Sequence, residues 1–585
     1  MNFHYSAERN VQMVLALFKA YGIKRVIASP GAINIPVVAS MQQDPYFEMF
    51  SCVDERSAAY MACGMAEESN EPVVLSCTGA TASRNYMPGM TEAYYRKLPV
   101  IALTSSRDAA WIGHLFPQVT DRMAHPNDIC VDFEHIQTIK DETDEWDVTI
   151  KLNRALNAIK EGPVHINITD AISRKYDVLK LPEIKKIPIF KKEEDWPVLP
   201  QGKIAIFCGE HKVWPKEATE TLDHFCACHD AVVFCDHTSK FHGKYRFLSA
   251  LVGAQKSKSP IFDFNLIIHI GEVSGGYDVF NRLKKVPSVW RVSPDGKMKD
   301  FFRHLSAVFQ TEENTFFKHY IDNTEEKDNT LNLCISEYQK IYNSLPELPF
   351  SNIWIGKEIG RLIPDNSVLY LGILNSLRSW NFFEINPKVR VYSNVGGFGI
   401  DGSMSSTVGA SLVNPNKLCF VVLGDLSFFY DMNCIGNRDI GNNLRILLIN
   451  NGKGIEFRHY NHQARFLGED ADKYVAAAHH WGNQSHNLVR HFAQDLGFKY
   501  LTASNKNDFK TAAVDFLDTN YREKSILFEV FTDTEEEIES LKIVHTIQPQ
   551  ISQPTSQPSL KDQAKNAIKG VLGDKIIEIA KIIRK

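Results

Sequence analysis

The 585-residue chain lacks any long apolar run: no stretch approaches the roughly 18 consecutive apolar residues of a membrane-spanning helix. Residues 1–22 are amphipathic, but they carry Glu8 and no extended apolar core, so a first helix is expected there and not a signal peptide. Excess basic charge is missing too. A formal net charge of −5 gives no global positive field, which counts against nucleic acid as a partner. Nor is there a disulfide framework, because the eleven cysteines are scattered and Cys208, Cys235 and Cys419 fall inside apolar, strand-like runs. That usage fits reduced, buried thiols in a cytoplasmic protein. Zinc-type spacing is also lacking. The nearest grouping, Cys226, Cys228, His229, Cys235 and His237, straddles an expected helix (217–229) and strand (231–235), and packing accounts for it better than a metal. Finally, no Gly-rich dinucleotide loop occurs: GEVSGG at 271–276 is not G-x-G-x-x-G, and it follows a late strand.

What the chain does have is a repeated alternation of strand and helix signals. Its length exceeds one hydrophobic core, and 44% hydrophobic with 23% charged residues is an ordinary globular composition. Within 1–185, the runs RVIAS (25–29), VVLSCTG (73–79), VIALTSS (100–106) and GPVHINI (162–168) read as strands between helical stretches. One such helix, SAAYMACGMAEE, begins just after Asp54-Glu55-Arg56, and another runs from the end of VVLSCTG through Ala93. Residues 186–200 are rich in Lys, Glu and Pro and read as a linker. A second unit, 200–345, has KIAIFCG, DAVVFCD, LIIHIGE and SVWRVSP as strands and a charged helical stretch over 314–345. A third spans 350–545 and includes an expected helix over 479–497. This succession predicts an α/β protein of three doubly wound parallel-sheet domains, each sheet covered on both faces.

The stretch 424–457 organises the third unit. KLCFVVL (417–423) runs into Gly424-Asp425, and LRILLI (444–449) runs into Asn450-Asn451-Gly452. Acceptor side chains therefore project from the carboxyl ends of two parallel strands, where open α/β sheets bind ligands. Asp425 can give a hard carboxylate oxygen to Mg2+, an amide oxygen of the Asn pair a neutral one, and a backbone carbonyl beyond it a third, leaving positions for diphosphate oxygens. Upstream, SNVGGFGIDGSMSSTVGASL (393–412) is a Gly-rich loop entering a helix, a form that lets backbone N–H groups approach a ligand.

GDLS-x-x-Y-D-x-N followed by Asn-Asn resembles the metal- and diphosphate-binding motif of thiamine diphosphate enzymes of the 2-oxo acid decarboxylase and carboligase superfamily. Its wording is particularly similar to that of the menaquinone-pathway 2-succinyl-5-enolpyruvyl-6-hydroxy-3-cyclohexene-1-carboxylate synthases. Glu55-Arg56-Ser57-Ala58-Ala59, CTGATASRNYMPGMTEAYY and GPVHINI resemble, in order, that family's cofactor glutamate and the two segments after it. The resemblance covers residues 5 to 545 and implies pyrimidine-binding (1–185), central (200–345) and diphosphate-binding (350–545) domains, with thiamine diphosphate and Mg2+ as cofactors. It implies that Glu55 hydrogen-bonds the aminopyrimidine ring and so activates the cofactor. Thr78, Gly79, Asn85, Gly399, Ser405, Gly424, Leu426, Ser427 and Ile455 would line the cofactor, with Ile400 as the apolar wedge that keeps it bent. Asp425 and the Gly452 carbonyl would hold the metal. Alignment on the strand makes Asn451 the amide ligand, whereas alignment on Gly452-x-x-Ile455 makes it Asn450.

The substrate side departs from the family. Its Ser-Pro-Gly-Ser-Arg is here Ser29-Pro30-Gly31-Ala32-Ile33, a loop arginine is Val395, and a third arginine position is Trp380. Arg107, Gln118, Ser376 and Arg378 remain as substrate candidates. Each lost guanidinium removes a bidentate carboxylate partner, so the menaquinone reaction is not expected, and Phe398 adds to a less charged pocket. The expectation is a carboligase that decarboxylates a 2-oxo acid and passes the acyl-anion equivalent to an aldehyde or ketone acceptor. A simple 2-oxo acid decarboxylase is the alternative, and an inactive scaffold or membrane-docked regulator is the alternative of another class. The family draws Glu55 and the Asp425 motif from different subunits, which implies a homodimer or homotetramer.

The end of the chain changes character. Residues 546–559 are a Pro/Ser/Gln linker, and 560–585 place apolar residues at helical spacing with seven basic against three acidic residues. A tethered basic amphipathic helix suits packing on its own oligomer, a membrane surface or a protein partner, and all three readings stay open.

Overall fold

The computed structural model describes residues 4–547 apart from 123, 171–174, 257–258 and 323. The expected amphipathic helix, and its linker from 548 onward, lie outside the described residues. The strands of the first unit are β1 (Arg25–Ala28), β2 (Glu48–Ser51), β3 (Val73–Thr78), β4 (Val100–Ser106), β5 (Asp132–Ile136) and β6 (Val164–Thr169). They form one sheet in the order β2-β1-β3-β4-β6-β5. A second sheet takes β7 (Ile189–Phe190), β8 (Ile204–Cys208), β9 (Val232–Cys235), β10 (Arg246–Leu248), β11 (Leu266–Ile270), β12 (Val289–Val292) and β13 (Leu305–Phe309) in the order β10-β9-β8-β11-β12-β13-β7. The third, β15-β14-β16-β17-β19-β18, is built from β14 (Val368–Leu371), β15 (Arg390–Tyr392), β16 (Cys419–Gly424), β17 (Leu444–Asn450), β18 (Lys499–Ala503) and β19 (Ile526–Phe531).

Every pairing between these strands is parallel. Parallel strands need covering crossovers, and near-continuous apolar runs follow from burial on both faces. In the first sheet Val26, Val74, Ile101 and Leu103 pack into one cluster, while Ile27, Val73, Leu75, Cys77 and Ala102 pack into another on the opposite face. The second and third sheets share one buried cluster, from Ile204 to Ile547. The three doubly wound sheets are thus as expected.

Several elements differ in detail. Ile189–Phe190, inside the stretch read as linker, is an edge strand on β13, with Val308 opposite Ile189. The helix expected through Ala93 is two, Ala80–Asn85 and Met87–Arg96, the second carrying a proline in its first turn, where an N–H has no helical partner. The 314–345 stretch also divides, into Glu313–His319 and Asn329–Asn343. The 479–497 helix breaks at Ser485–Asn487, leaving Trp481–Gln484 and Leu488–Asp495.

Doubly wound sheets carry a crevice where the direction of winding reverses. The reversals lie between β1 and β3, between β8 and β11, and between β14 and β16. The central crevice is closed. A Cβ on Gly209 would lie 1.9 Å from the Glu272 carbonyl oxygen, and one on Gly271 2.9 Å from that of Glu210. The third is open: a Cβ on Gly424 meets no atom within 4 Å, nor does one on Gly396 or Gly397.

Candidate active site

Gly424 ends β16, and Asp425, 2% exposed, begins the helix Asp425–Asp431. Neighbouring β17 runs in register with it, Gly424 opposite Ile449, so Asn450 and Asn451 emerge beside Asp425. The two amides then differ. Asn450 donates from Nδ2 to Glu529 Oε1 at 2.8 Å and accepts a long 3.3 Å bond from the Gly452 N–H. Asn451 Oδ1 is buried with no hydrogen-bond partner. Such an orphaned acceptor is costly unless something fills its valence. Gly452 has φ 78°, the left-handed region that favours glycine, and turns the chain directly after the strand.

Two contacts fasten the Gly-rich loop to the Asp425 helix. Ser427 Oγ donates to the Ile400 carbonyl at 2.5 Å. Asp431 accepts from the Ser405 N–H at 2.7 Å and from the Ser405 hydroxyl, capping the helix Ser403–Val413. Ser405 and Ser427 therefore hold the loop, while Gly399 and half-buried Ile400 sit on it above open Gly396–Gly397.

In the first sheet Asp54 caps the helix Glu55–Ser69, its carboxylate accepting from Arg56 N at 3.2 Å and from Ser57 N at 3.3 Å. The Ser57 hydroxyl bond, 2.6 Å, adds to this and holds the Asp54 carboxyl below its usual range. Glu55 is thereby fixed in the first helical turn, beyond the end of β2. Thr78 ends β3 at the reversal and Gly79 leads into the next helix, and a Cβ on Gly31 would lie 2.9 Å from Thr78 Cβ. Asn85 is exposed at the end of its short helix. Glu55 and Asp425 thus stand on different sheets.

The substrate candidates are divided in the same way. Arg107 follows β4 and lies 3.7 Å from Asp170; Gln118 is exposed, at φ 63°. Ser376 and Arg378 follow β14. Ser376 Oγ accepts from Asn352 Nδ2 at 3.1 Å, within a network in which Trp380 Nε1 donates to Asn352 Oδ1. Arg378 donates to both carboxylate oxygens of Glu456, at 3.1 and 2.5 Å, and to Asn375 Oδ1 at 3.4 Å. Burial opposes the Glu456 charge, but the Arg378 guanidinium overrides it and holds the carboxyl below its ordinary value. Burial pushes neighbouring His459 down to about 3, so its ring is neutral, and its Nε2 lies 3.2 Å from Asn375 Oδ1. Ile33, Trp380 and Val395 are buried core side chains.

Glu456 and Glu529 are the site residues that sequence reasoning missed. Glu529 is fully buried within β19; burial raises its pKa, and Tyr500 donates to its second oxygen at 2.7 Å. A lone acid in the apolar run ILFEVF, and one immediately after Ile455, were the available signals. Among the described residues, no group of three or more His, Cys, Asp or Glu is placed to hold a metal ion. In the Cys226 to His237 grouping, His229 lies 2.7 Å from the Tyr320 carbonyl instead.

Comparison with known proteins finds relatives along the length of the chain. Residues 9–125 match the family model described as thiamine pyrophosphate enzyme, N-terminal TPP binding domain. The chain is 29% identical to a 2-succinyl-5-enolpyruvyl-6-hydroxy-3-cyclohexene-1-carboxylate synthase of Bacteroides thetaiotaomicron, over 92% of this chain and 98% of that one. Similar proteins of the same name occur in Phocaeicola vulgatus, 27% identical with 92% and 98% covered, and in Porphyromonas gingivalis, 26% identical with 93% and 98% covered.

Proposed function

The chain belongs to the thiamine diphosphate-dependent enzymes, and we propose that among them it is a Mg2+-dependent carboligase. In this reading a 2-oxo acid loses CO2 by cleavage of its C1–C2 bond, and the electron pair left on C2 forms a new bond to the carbonyl carbon of an aldehyde or ketone. A proton then reaches the acceptor oxygen, so that atoms and charge balance. When bound, thiamine diphosphate would supply the electron sink that the decarboxylation needs, taking up the pair left behind as CO2 departs.

The observation that carries the reading is the buried carboxylate of Asp425 one strand away from the buried, unpartnered Asn451 Oδ1. A carboxylate and a neutral amide oxygen are a donor set suited to a hard cation. We therefore assign the metal to Asp425, Asn451 and a backbone carbonyl of the Gly452 turn, with Asn450 held back by Glu529. The room beside Gly424, Gly396 and Gly397 suits a diphosphate, and Glu55 suits the hydrogen bond to the pyrimidine. By the resemblance, which draws Glu55 and the Asp425 motif from different subunits, we assign each complete site to two subunits. The relatives are named synthases, which favours a ligase over a plain decarboxylase. Buried Ile33, Trp380 and Val395 favour a substrate with fewer carboxylates than theirs. All eleven cysteines are free, which fits a cytoplasmic setting, and no helix among the described residues is long and apolar enough to cross a membrane.

The test is mass spectrometry of products formed with thiamine diphosphate, Mg2+ and a panel of 2-oxo acids, with and without carbonyl acceptors. A ligated product absent with Glu55→Gln supports the carboligase. An aldehyde alone, again dependent on Glu55, would make it a decarboxylase. Asn451→Ala is expected to weaken Mg2+-dependent cofactor binding at least tenfold in calorimetry; an equal loss confined to Asn450→Ala would move the metal to that residue.

A further inference from the structure

The pair formed by Arg378 and Glu456 has a position that gives it a chemical consequence. Arg378 lies in Asn375–Asn381, which follows β14, and Glu456 lies in the short Ile455–Arg458 turn that follows the Asn450-Asn451 end of β17. A Cβ on Gly454 would lie 3.2 Å from Leu426 Cδ1, so this turn closes against the residue after Asp425. The pair therefore stands at the open β14/β16 crevice. It is bidentate, with about a fifth of each side chain exposed.

A guanidinium lining that crevice has the fork geometry to receive a carboxylate. Instead its fork is filled from within the chain. The basic residues flanking Glu456 are likewise engaged, Lys453 and Arg458 reaching Asp472 at 2.6 and 2.5 Å. Asn375, Ser376 and His459 around the pair are neutral. An incoming dicarboxylate would meet an acid already seated on the cation, and like-charge contact in a partly desolvated cleft is strongly unfavourable.

We propose that Glu456 is a specificity-determining residue: by occupying Arg378 it restricts the donor to 2-oxo acids with an uncharged side chain and excludes those with a second carboxylate. The inference rests on the carboligase reading above and names the donor class for it. Glu456→Gln keeps shape but removes the charge and one of the two acceptor oxygens, and so frees Arg378 to receive an anion.

The experiment uses the full chain with thiamine diphosphate and Mg2+. It compares CO2 release from pyruvate and from 2-oxoglutarate in the wild type, Glu456→Gln and the double variant Glu456→Gln/Arg378→Gln. The wild type should favour pyruvate at least tenfold in kcat/KM. Glu456→Gln should move that ratio at least tenfold toward 2-oxoglutarate, chiefly through KM, and the double variant should lose the gain. A binding arm measures glutarate against pentanoate calorimetrically, and glutarate affinity should rise at least tenfold in Glu456→Gln alone. Wild-type use of 2-oxoglutarate equal to that of pyruvate overturns the proposal, as does a lower Tm in Glu456→Gln with both ratios unmoved. Absence of CO2 from any 2-oxo acid, with Glu55→Gln indistinguishable from wild type, counts against the carboligase reading instead, and the binding arm still decides the role of Glu456.

Discussion

At the scale of single residues, the third unit buries the acids Asp425, Glu529 and Glu537. Glu537, 1% exposed, accepts from the Asn352 N–H at 3.0 Å and from the Thr532 hydroxyl at 2.8 Å, and through Asn352 it supports Ser376 and Trp380. Burial raises its pKa from 4.5 to about 7. Below pH 4.5 the carboxyl is protonated in both folded and unfolded chains. Between 4.5 and 7 only the unfolded chain releases the proton, so stability falls as pH rises through that window and is level above it. At about 1.4 kcal/mol per pH unit, the loss is up to about 3 kcal/mol. Thermal unfolding at pH 5 and pH 7.5 should therefore differ more in the wild type than in Glu537→Gln, whose side chain cannot ionise; identical pH profiles would refute the assignment. The same burial marks the limit of sequence reading. Asp425 was legible because it ends an apolar run, but Glu529 and Glu456 find their partners 79 and 78 residues away, a distance that no local pattern encodes.

At the scale of elements, the site depends on how two segments are joined. The Gly-rich loop contributes little packing of its own, since Gly396 and Gly397 touch nothing at the Cβ position. Asp431 and Ser427, both on the Asp425 helix, supply the fastening through Ser405 and Ile400. Loss of a helix cap costs about 1 kcal/mol, so Asp431→Ala should lower Tm only modestly. Its larger effect should be on the loop, with faster proteolytic cleavage within 393–406 and a severalfold weaker thiamine diphosphate Kd, while Asp431→Asn retains most of both. Unchanged cleavage in Asp431→Ala would show the loop to be held by other means. Strands were the more legible elements, because burial on both faces writes an apolar run directly into the sequence. Helix ends were not. The break at Ser485–Asn487 interrupts a pattern whose spacing continues across it, and Ile189–Phe190 is a strand only because β13 offers an edge 119 residues later.

At the scale of the whole molecule, the two halves of the proposed site each carry apolar surface. Beside Glu55 lie Phe50, Val53, Tyr60 and Met61, with Val53 75% exposed. Beside Asp425 and the Gly-rich loop helix lie Tyr430, at 71%, with Val413 and Trp481. Scattered apolar residues are ordinary on a surface, whereas groups bordering functional acids are characteristic of association faces. If one subunit's Glu55 face covers another's Asp425 face, burying these side chains both joins the chains and dries the cofactor site. Val53→Glu and Tyr430→Glu each place a charge in that contact without touching a core. Each should shift the chain toward monomer in light scattering after gel filtration, and each should weaken thiamine diphosphate binding at least tenfold while leaving far-ultraviolet circular dichroism intact. Mixed, the two variants should partly rescue one another, because a heterodimer sets the intact Glu55 face of one chain against the intact Asp425 face of the other and so restores one of its two sites. A monomeric variant that still binds cofactor with full affinity would place Glu55 and Asp425 of one chain in the same site and remove the need for a partner.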